Sequence, residues 1–126
     1  MTLALLYLLN YDNNPYYNSE DILKFINGGV NFWCKIQRKN GSFDEWYPYE
    51  GSFVATAFST CAISEVLLLL KEKIANFDNS LRCIKKAVDF LSKNVDYTAC
   101  NQEAGAILAI YNCYLLTSVG IWLIKD

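Results

Sequence analysis

The sequence contains no histidine among its 126 residues. Histidine is the commonest general base and the commonest zinc ligand, so its absence argues against the usual catalytic triads and against most zinc sites. The five cysteines are odd in number and form no Cys-x-x-Cys pair, which argues against a disulfide framework and a zinc knuckle. We therefore expect no metal, no cofactor, and reduced thiols typical of a cytoplasmic protein.

Charge is also scarce, because charged residues make up 19% of the chain and the formal net charge is -2. Lysines and arginines are spread among carboxylates, so the sequence lacks the basic patch typical of a nucleic-acid partner. Hydrophobic residues make up 53%, more than in an average soluble domain. A chain of this length can bury roughly two thirds of its unfolded surface. We therefore predict a single helical domain over residues 1–126 with an unusually apolar interior.

Two kinds of helix alternate along the chain. After a short apolar helix at 3–10, the segment 19–38 carries polar residues every three or four positions, whereas 52–70 is apolar on all sides. The same contrast returns between 81–95 and 101–117. A helix with one polar face is half exposed, and a helix that is apolar all round is enclosed. This order predicts about five main helices, paired as antiparallel hairpins with outer members exposed and inner members enclosed.

The packed stripes of the two outer helices can be assigned from their spacing. In the first, capped by Asn18 or Ser19, the stripe is Ile22, Ile26, Val30, Trp33 and Ile36. In the second, which follows a predicted turn at 76–80, the stripe is Ile84, Val88, Leu91 and Val95.

The last apolar run allows another interpretation, a membrane span. Residues 104–124 carry no formal charge and are long enough to cross a bilayer. Polar and small residues interrupt this run, and the other long apolar run, 52–70, contains Glu65, which is costly at a bilayer centre. We therefore favour an enclosed helix and a protein without a membrane partner.

A short repeat carries a resemblance to a known superfamily. Gly29-Val30-Asn31-Phe32-Trp33 corresponds to Ala87-Val88-Asp89-Phe90-Leu91, and the first copy continues as Gln37-x-x-x-Gly41-x-Phe43. This resembles the Q-x-x-x-G-x-W repeat of the α/α-toroid superfamily, which includes terpenoid cyclases and prenyltransferases. The resemblance implies an all-α fold of antiparallel hairpins forming part of an α/α toroid, in which the glutamine and the ring tie an outer helix to the next inner helix. Phe43 stands in place of Trp, and Val95 stands where the second copy would have Gln.

The resemblance also bears on function. The aspartate-rich motif of the cyclases and the zinc ligands of the protein prenyltransferases have no counterpart in this sequence. The segments GSFDEWYPYEGSFVATAF and NQEAGAILAIY look closer to heparinase II/III-like proteins of polysaccharide metabolism. This implies a protein that binds or modifies a polysaccharide or oligosaccharide by lyase-like or hydrolase-like chemistry, with a terpenoid cyclase-like protein as an alternative. Such toroids have further hairpins, so we expect a partial toroid whose open faces need a second copy or another partner.

The candidate site lies in the loop before residue 52. Inner helices of a ring begin on the same side, so the loops before 52 and 101 are predicted to share one entrance. Glu50 and Asp44 supply the paired carboxylates that glycoside chemistry uses, and Tyr47 is a candidate proton donor. Substrate binding through flat rings and hydrogen bonds is assigned to Glu45, Trp46, Tyr49, Asn101 and Gln102.

Each assignment has a structural alternative. Glu50 and Asn101 can be helix caps, and the other acidic residues can be solvated loop residues. The aromatic rings can close the end of the helix ring. A noncatalytic helical-repeat module that docks a protein or a second copy therefore remains open beside a carbohydrate-active protein.

Overall fold

In the computed structural model the described residues are 1–94 and 99–125, with the side chains of the last helix described as far as Ser118. Within them the chain forms five α-helices: α1 (Thr2–Asn10), α2 (Glu20–Ile36), α3 (Phe53–Leu70), α4 (Phe77–Lys93) and α5 (Cys100–Lys125). A 3₁₀ turn at Lys71–Lys73 follows α3. The predicted all-α fold with about five main helices is confirmed.

Two serines begin helices by the same mechanism. The hydroxyl of Ser19 accepts from the N–H of Ile22 at 3.4 Å and caps α2, and the hydroxyl of Ser52 accepts from the N–H of Ala55 at 3.2 Å and caps α3. Each bond satisfies one of the free N–H groups at a helix start. Of the two caps predicted for α2, the serine is therefore the one used.

The two amphipathic helices, α2 and α4, run in the same direction. In the middle of α2, Asn27 donates to the carbonyl of Lys73 at 3.2 Å and accepts from the N–H of Ala75 at 2.9 Å, just before α4 begins. At the end of α2, Gln37 donates to the carbonyl of Cys83 at 2.8 Å. Because the contacts advance along both segments together, α2 and α4 are parallel.

The apolar helices α3 and α5 are also parallel to each other. Gly105 lies against the ring of Phe58, and seven residues further along α5 the side chain of Asn112 donates to Ser64 at 3.1 Å. By contrast, Trp33 near the end of α2 meets Ser59 near the start of α3. Thus α2 is antiparallel to α3, and both apolar helices begin at the same end of the molecule.

The buried stripes largely follow the predicted spacing. In α2 the side chains of Ile22, Ile26, Val30 and Trp33 are buried. Ile36 is exposed, so its assignment to the stripe was wrong, because the helix ends there and the chain turns away. In α4, Ile84 and Leu91 are buried and Val88 is half-buried, whereas Val95 lies outside the described residues.

The helix α5 was predicted to be enclosed on all sides, but in the structure only one of its faces is buried. α5 buries Ala106, Ala109 and Cys113 against its neighbours but leaves Ile107 and Tyr114 exposed. The prediction that this helix is covered all round is wrong, since within the described residues α3 and α4 account for most of its contacts.

Two predicted boundaries also differ from the structure. α4 begins at Phe77, within the predicted turn at 76–80, and Ser80 donates to the carbonyl of Asn76 at 2.9 Å. α5 continues to Lys125, beyond the predicted end at 117.

The five cysteines are free in the structure. Cys83 and Cys113 are buried, Cys34 and Cys61 are half-buried, and Cys100 is exposed. Burial, followed by a hydrogen bond with Cys83, raises the pKa of Cys34 to about 12. The Cys34 thiol therefore stays protonated at neutral pH.

Among the described residues, one helical segment, Phe53–Lys73, has the length and composition to cross a membrane. Within its most apolar window 44% of the residues are buried inside the protein. The run considered as a span in the sequence, 104–124, is helical, and its side chains after Ser118 lie outside the described residues.

Candidate functional site

The loop between α2 and α3, residues 37–52, is tied to α4 at its first turn. The side chain of Gln37 donates to the carbonyl of Gly41 at 3.1 Å and to the carbonyl of Cys83, in α4, at 2.8 Å. Gly41 has a φ of +92°, and a Cβ at this position would overlap the carbonyl oxygen of Lys86. Only a glycine lets the loop lie directly against the backbone of α4 here.

A buried aromatic pair anchors the loop to the hairpin. The rings of Trp33 and Phe43 stack with centroids 4.6 Å apart. The Trp33 indole donates to the hydroxyl of Ser59 at 3.0 Å, and the Phe43 N–H donates to the hydroxyl of Thr56 at 3.0 Å. This pair therefore joins α2, the loop and α3 at one point.

Asp44 holds the outer part of the loop from the inside. One carboxylate oxygen pairs with the guanidinium of Arg38 and accepts from the N–H of Tyr49 at 3.0 Å, while the other accepts from the N–H of Gly51 at 3.0 Å. The hydrogen bond from Arg38, followed by that from Gly51, lowers the pKa of Asp44 to about 2. Asp44 is therefore ionised at any pH at which the protein would function.

Glu50 holds the first half of the same loop segment. Its Oε2 accepts from the N–H groups of Glu45 at 3.0 Å, Trp46 at 2.9 Å and Tyr47 at 3.4 Å. The bonds from the Trp46 and Glu45 N–H groups lower the pKa of Glu50. The alternative that Glu50 is a helix cap is wrong, because Ser52 caps α3 and Glu50 accepts hydrogen bonds from N–H groups within the loop.

Three aromatic side chains stand outward from this pinned segment. Trp46, Tyr47 and Tyr49 are 79%, 73% and 85% exposed. The alternative that these rings close the end of the helix ring is wrong, because they face solvent. Rings of this size in solvent on a loop held by hydrogen bonds are typical of a binding surface, since binding would bury their apolar faces.

The backbone of Tyr49 is held in an unusual conformation. Its φ is +67°, in a region of backbone conformation that residues other than glycine rarely adopt. The bond from its N–H to Asp44 and the guanidinium of Arg38, 4.3 Å from the centre of its ring, both hold it there. Strain of this kind clusters at binding and catalytic sites, where the surrounding structure enforces it.

A cleft of about 690 Å³ opens beside the loop, between it and the end of α4. Tyr49, Glu50 and Gly51 line one side, and Phe90 of α4 and Asn94, the residue just after that helix, line the other. The remaining wall consists of the loop residues Gln37, Arg38, Lys39, Asn40 and Ser42. The cleft thus offers an aromatic ring, side-chain amides and an exposed cation to a ligand.

The structure brings some predicted site residues together and leaves others apart. Asp44, Glu45, Trp46, Tyr47, Tyr49 and Glu50 share one loop, and the side chain of Glu45 accepts from the hydroxyl of Ser52 at 3.2 Å. Asn101 and Gln102 lie at the same end of the molecule, at the start of α5, but they are not among the described residues lining the cleft.

The sequence reasoning missed the cleft residues contributed by Arg38, Lys39, Asn40, Phe90 and Asn94. The repeat that aligns Phe32 with Phe90 was the available signal for the second wall, because it places Phe90 at the end of an outer helix. Arg38 was the available signal for the pinned loop, since it is one of the two cations, with Lys39, that shortly precede Asp44 in the sequence.

Comparisons of the chain with protein-family models, with curated proteins and with solved structures find no match. Among the described residues, no group of three or more Cys, Asp or Glu side chains is placed to hold a metal ion. The case for a function therefore rests on the loop and its cleft.

Proposed function

We propose that the 37–52 loop and its cleft bind an oligosaccharide or a polysaccharide, within a protein whose helix pairs form part of an α/α toroid. The observation that supports this is the display of Trp46, Tyr47 and Tyr49 in solvent by a loop that two carboxylates pin through its backbone. The parallel arrangement of α3 and α5 supports the toroid as the setting.

Sugar rings present flat C–H faces edged by hydroxyls. An exposed tryptophan or tyrosine ring matches the flat face, and amides such as those of Asn40 and Asn94 in the cleft can bond the hydroxyls. Because the loop is already ordered by its own hydrogen bonds, binding loses little additional conformational entropy. The arrangement therefore suits recognition of a sugar chain.

The carboxylates support binding better than hydrolysis. Glycoside hydrolysis needs one carboxyl group that is protonated near neutral pH, which requires a raised pKa. The pKa values of Asp44 and Glu50 are both lowered, and both groups accept several N–H bonds. We infer that Asp44 and Glu50 position the loop and that Trp46 and Tyr49 contact the sugar.

The test is a calorimetric titration of the purified chain with neutral and uronate-containing oligosaccharides. We expect Trp46→Ala and Tyr49→Ala each to weaken binding about tenfold, which corresponds to about 1.4 kcal/mol of binding free energy for a buried aromatic contact. Tyr17→Ala is the matched control, because Tyr17 is also exposed but lies in the loop at the other end of α2. Its affinity should equal that of the wild type.

Assaying the titrated mixtures for reaction products separates binding from catalysis. For a binding site we expect Glu50→Gln to weaken affinity, because the neutral amide holds the loop less well, and we expect no new reducing ends or unsaturated products. Product formation that Glu50→Gln abolishes, with affinity unchanged, would assign a catalytic role to Glu50 instead. Absence of binding to every glycan tested, by a folded protein, would refute the proposal.

A further inference from the structure

The helices α1, α3 and α5 form one layer, here called the inner layer, with α3 between the other two. The two end helices, α1 and α5, each present an uncharged, exposed face. On α5, Ile107 and Tyr114 are 65% and 62% exposed, and no charged residue occurs between Glu103 and Ser118. On α1, Tyr7 and Tyr11 are 46% and 61% exposed, and the helix carries no charged side chain. Apolar faces of this kind often mark contacts with another molecule.

The two faces have the same residue pattern. The exposed positions in and just after α1 include Ala4, Tyr7, Leu8 and Tyr11, and those of α5 at the same spacing include Ala104, Ile107, Leu108 and Tyr111. The buried positions correspond as well, since Leu6 and Leu9 match Ala106 and Ala109. The two helices are therefore equivalent units of the inner layer.

α3 shows how such helices pack on one another. It contacts both α1 and α5. All three helices run in the same direction, because α3 is antiparallel to α2 and so is α1, in which Thr2 lies against Gly29 and the Leu9 carbonyl accepts from the N–H of Asn18. Small residues at the contact, such as Gly105 and Ala109 on α5 and Ala57 on α3, let the helices approach closely. Each end helix has one such neighbour where α3 has two.

We propose that a second copy of this chain supplies the missing neighbour, with the exposed face of α5 in one copy packed on the exposed face of α1 in the other. When this head-to-tail contact repeats around a ring or along a filament, it covers both faces of each copy, whereas pairing α5 with α5 would leave α1 uncovered. It involves surfaces away from the 37–52 loop, so it does not rest on the proposed glycan binding.

The exposed area of the chain fits this proposal. The accessible surface is 8145 Å², and a compact monomer of 14.4 kDa would expose about 6800 Å². The excess over the whole chain is roughly 1300 Å², which is larger than the roughly 800 Å² that each partner buries in a typical specific interface. Association through both faces would bring the exposed surface per copy close to that of an ordinary globular protein.

The test is sedimentation of the full chain over the micromolar range, with one lysine introduced on each face. We expect the wild type to associate as concentration rises, and Tyr7→Lys and Ile107→Lys each to weaken association about tenfold or more, as for a central interface residue. A 1:1 mixture of the two variants should associate again, because each retains the face that the other lacks. Leu69→Lys, an exposed leucine on α3, is the control and should behave as the wild type.

Hydroxyl-radical footprinting of the wild type gives a second measurement that needs no variant. At high concentration Tyr7, Tyr11, Tyr111 and Tyr114 should become protected together, while Tyr17 should not. A wild type that stays monomeric throughout, a Tyr7→Lys variant that still associates, or a mixture that stays monomeric would each overturn the proposal.

Discussion

Gly41→Ala is expected to lower the free energy of unfolding by about 2–5 kcal/mol, from the strain of a side chain at positive φ and from overpacking. The φ of Gly41 is +92°, and the added Cβ would overlap the carbonyl oxygen of Lys86 in α4. Because that atom belongs to a helix backbone, it cannot move aside as the end of a flexible side chain could. Urea unfolding followed by circular dichroism measures the effect.

Gly28→Ala is the matched control. Gly28 lies inside α2, and nothing lies within 4 Å of the position that its Cβ would occupy. Alanine in a helix interior is favoured over glycine by roughly 0.5–1 kcal/mol, so this variant should be more stable than the wild type. Equal effects of the two substitutions would show that the contact between Gly41 and α4 does not constrain the loop.

Trp33→Ala is expected to destabilise the protein by about 3–5 kcal/mol, the range measured for removing a large buried aromatic ring. Trp33 is buried, stacks on Phe43 and donates to Ser59, so its removal leaves a cavity where α2, the loop and α3 meet. The loop should lose its anchor together with the global stability. Thermal and urea unfolding give the free energy.

Trp33→Phe keeps an aromatic ring beside Phe43 and removes the indole N–H. The loss of its hydrogen bond to Ser59 is expected to cost about 0.5–1.5 kcal/mol, with a further contribution from the smaller ring. If Trp33→Ala proved no more destabilising than Trp33→Phe, the stack would not be the point that joins the three segments.

Much of the helical framework could be predicted from residue spacing. Ser19 followed by Glu20 and Asp21 indicates a helix start, and the stripe through Ile26 and Val30 indicates which face is buried. These signals are local, because capping and amphipathic spacing act within a few turns of one helix. Such signals can therefore be recognised in the sequence without knowledge of how the rest of the chain packs.

The start of α4 could not be predicted in the same way. The segment around Asn76 and Asn79 has the composition of a turn, but in the fold Phe77 is half-buried against the core and Ser80 is fully buried. Packing against the rest of the protein therefore extends the helix into residues that favour turns when considered alone. Similarly, the lack of charge in α5 predicted a helix covered on all sides, whereas the structure leaves Ile107 and Tyr114 exposed.

The carboxylates that mark the candidate loop in the sequence have a different role in the structure. The sequence predicts Asp44 and Glu50 as a possible acid and base, whereas in the structure both side chains accept hydrogen bonds from backbone N–H groups. Which N–H groups a carboxylate meets depends on the path of the loop, and the positive φ of Tyr49 that sets this path is not evident from its residue type. Composition therefore indicated the candidate loop but not its internal geometry.

The most direct test of this account is hydrogen exchange by NMR at the amides of Glu45, Trp46, Tyr49 and Gly51, which donate to Glu50 or Asp44. The pKa of Asp44 is lowered to about 2 from an ordinary 3.8, so its contribution to stability is present above 3.8 and is lost as the pH falls through about 2.

The pKa of Glu50 is also lowered from its ordinary 4.5. At about pH 5, where both carboxyl groups are ionised, we therefore expect all four amides to exchange more slowly than in an unstructured peptide, although the aromatic side chains around them lie in solvent. Asp44→Asn should release the amides of Tyr49 and Gly51 first. Exchange of all four amides at the rates of an unstructured chain, in a protein whose helices remain protected, would contradict a loop pinned by its two carboxylates.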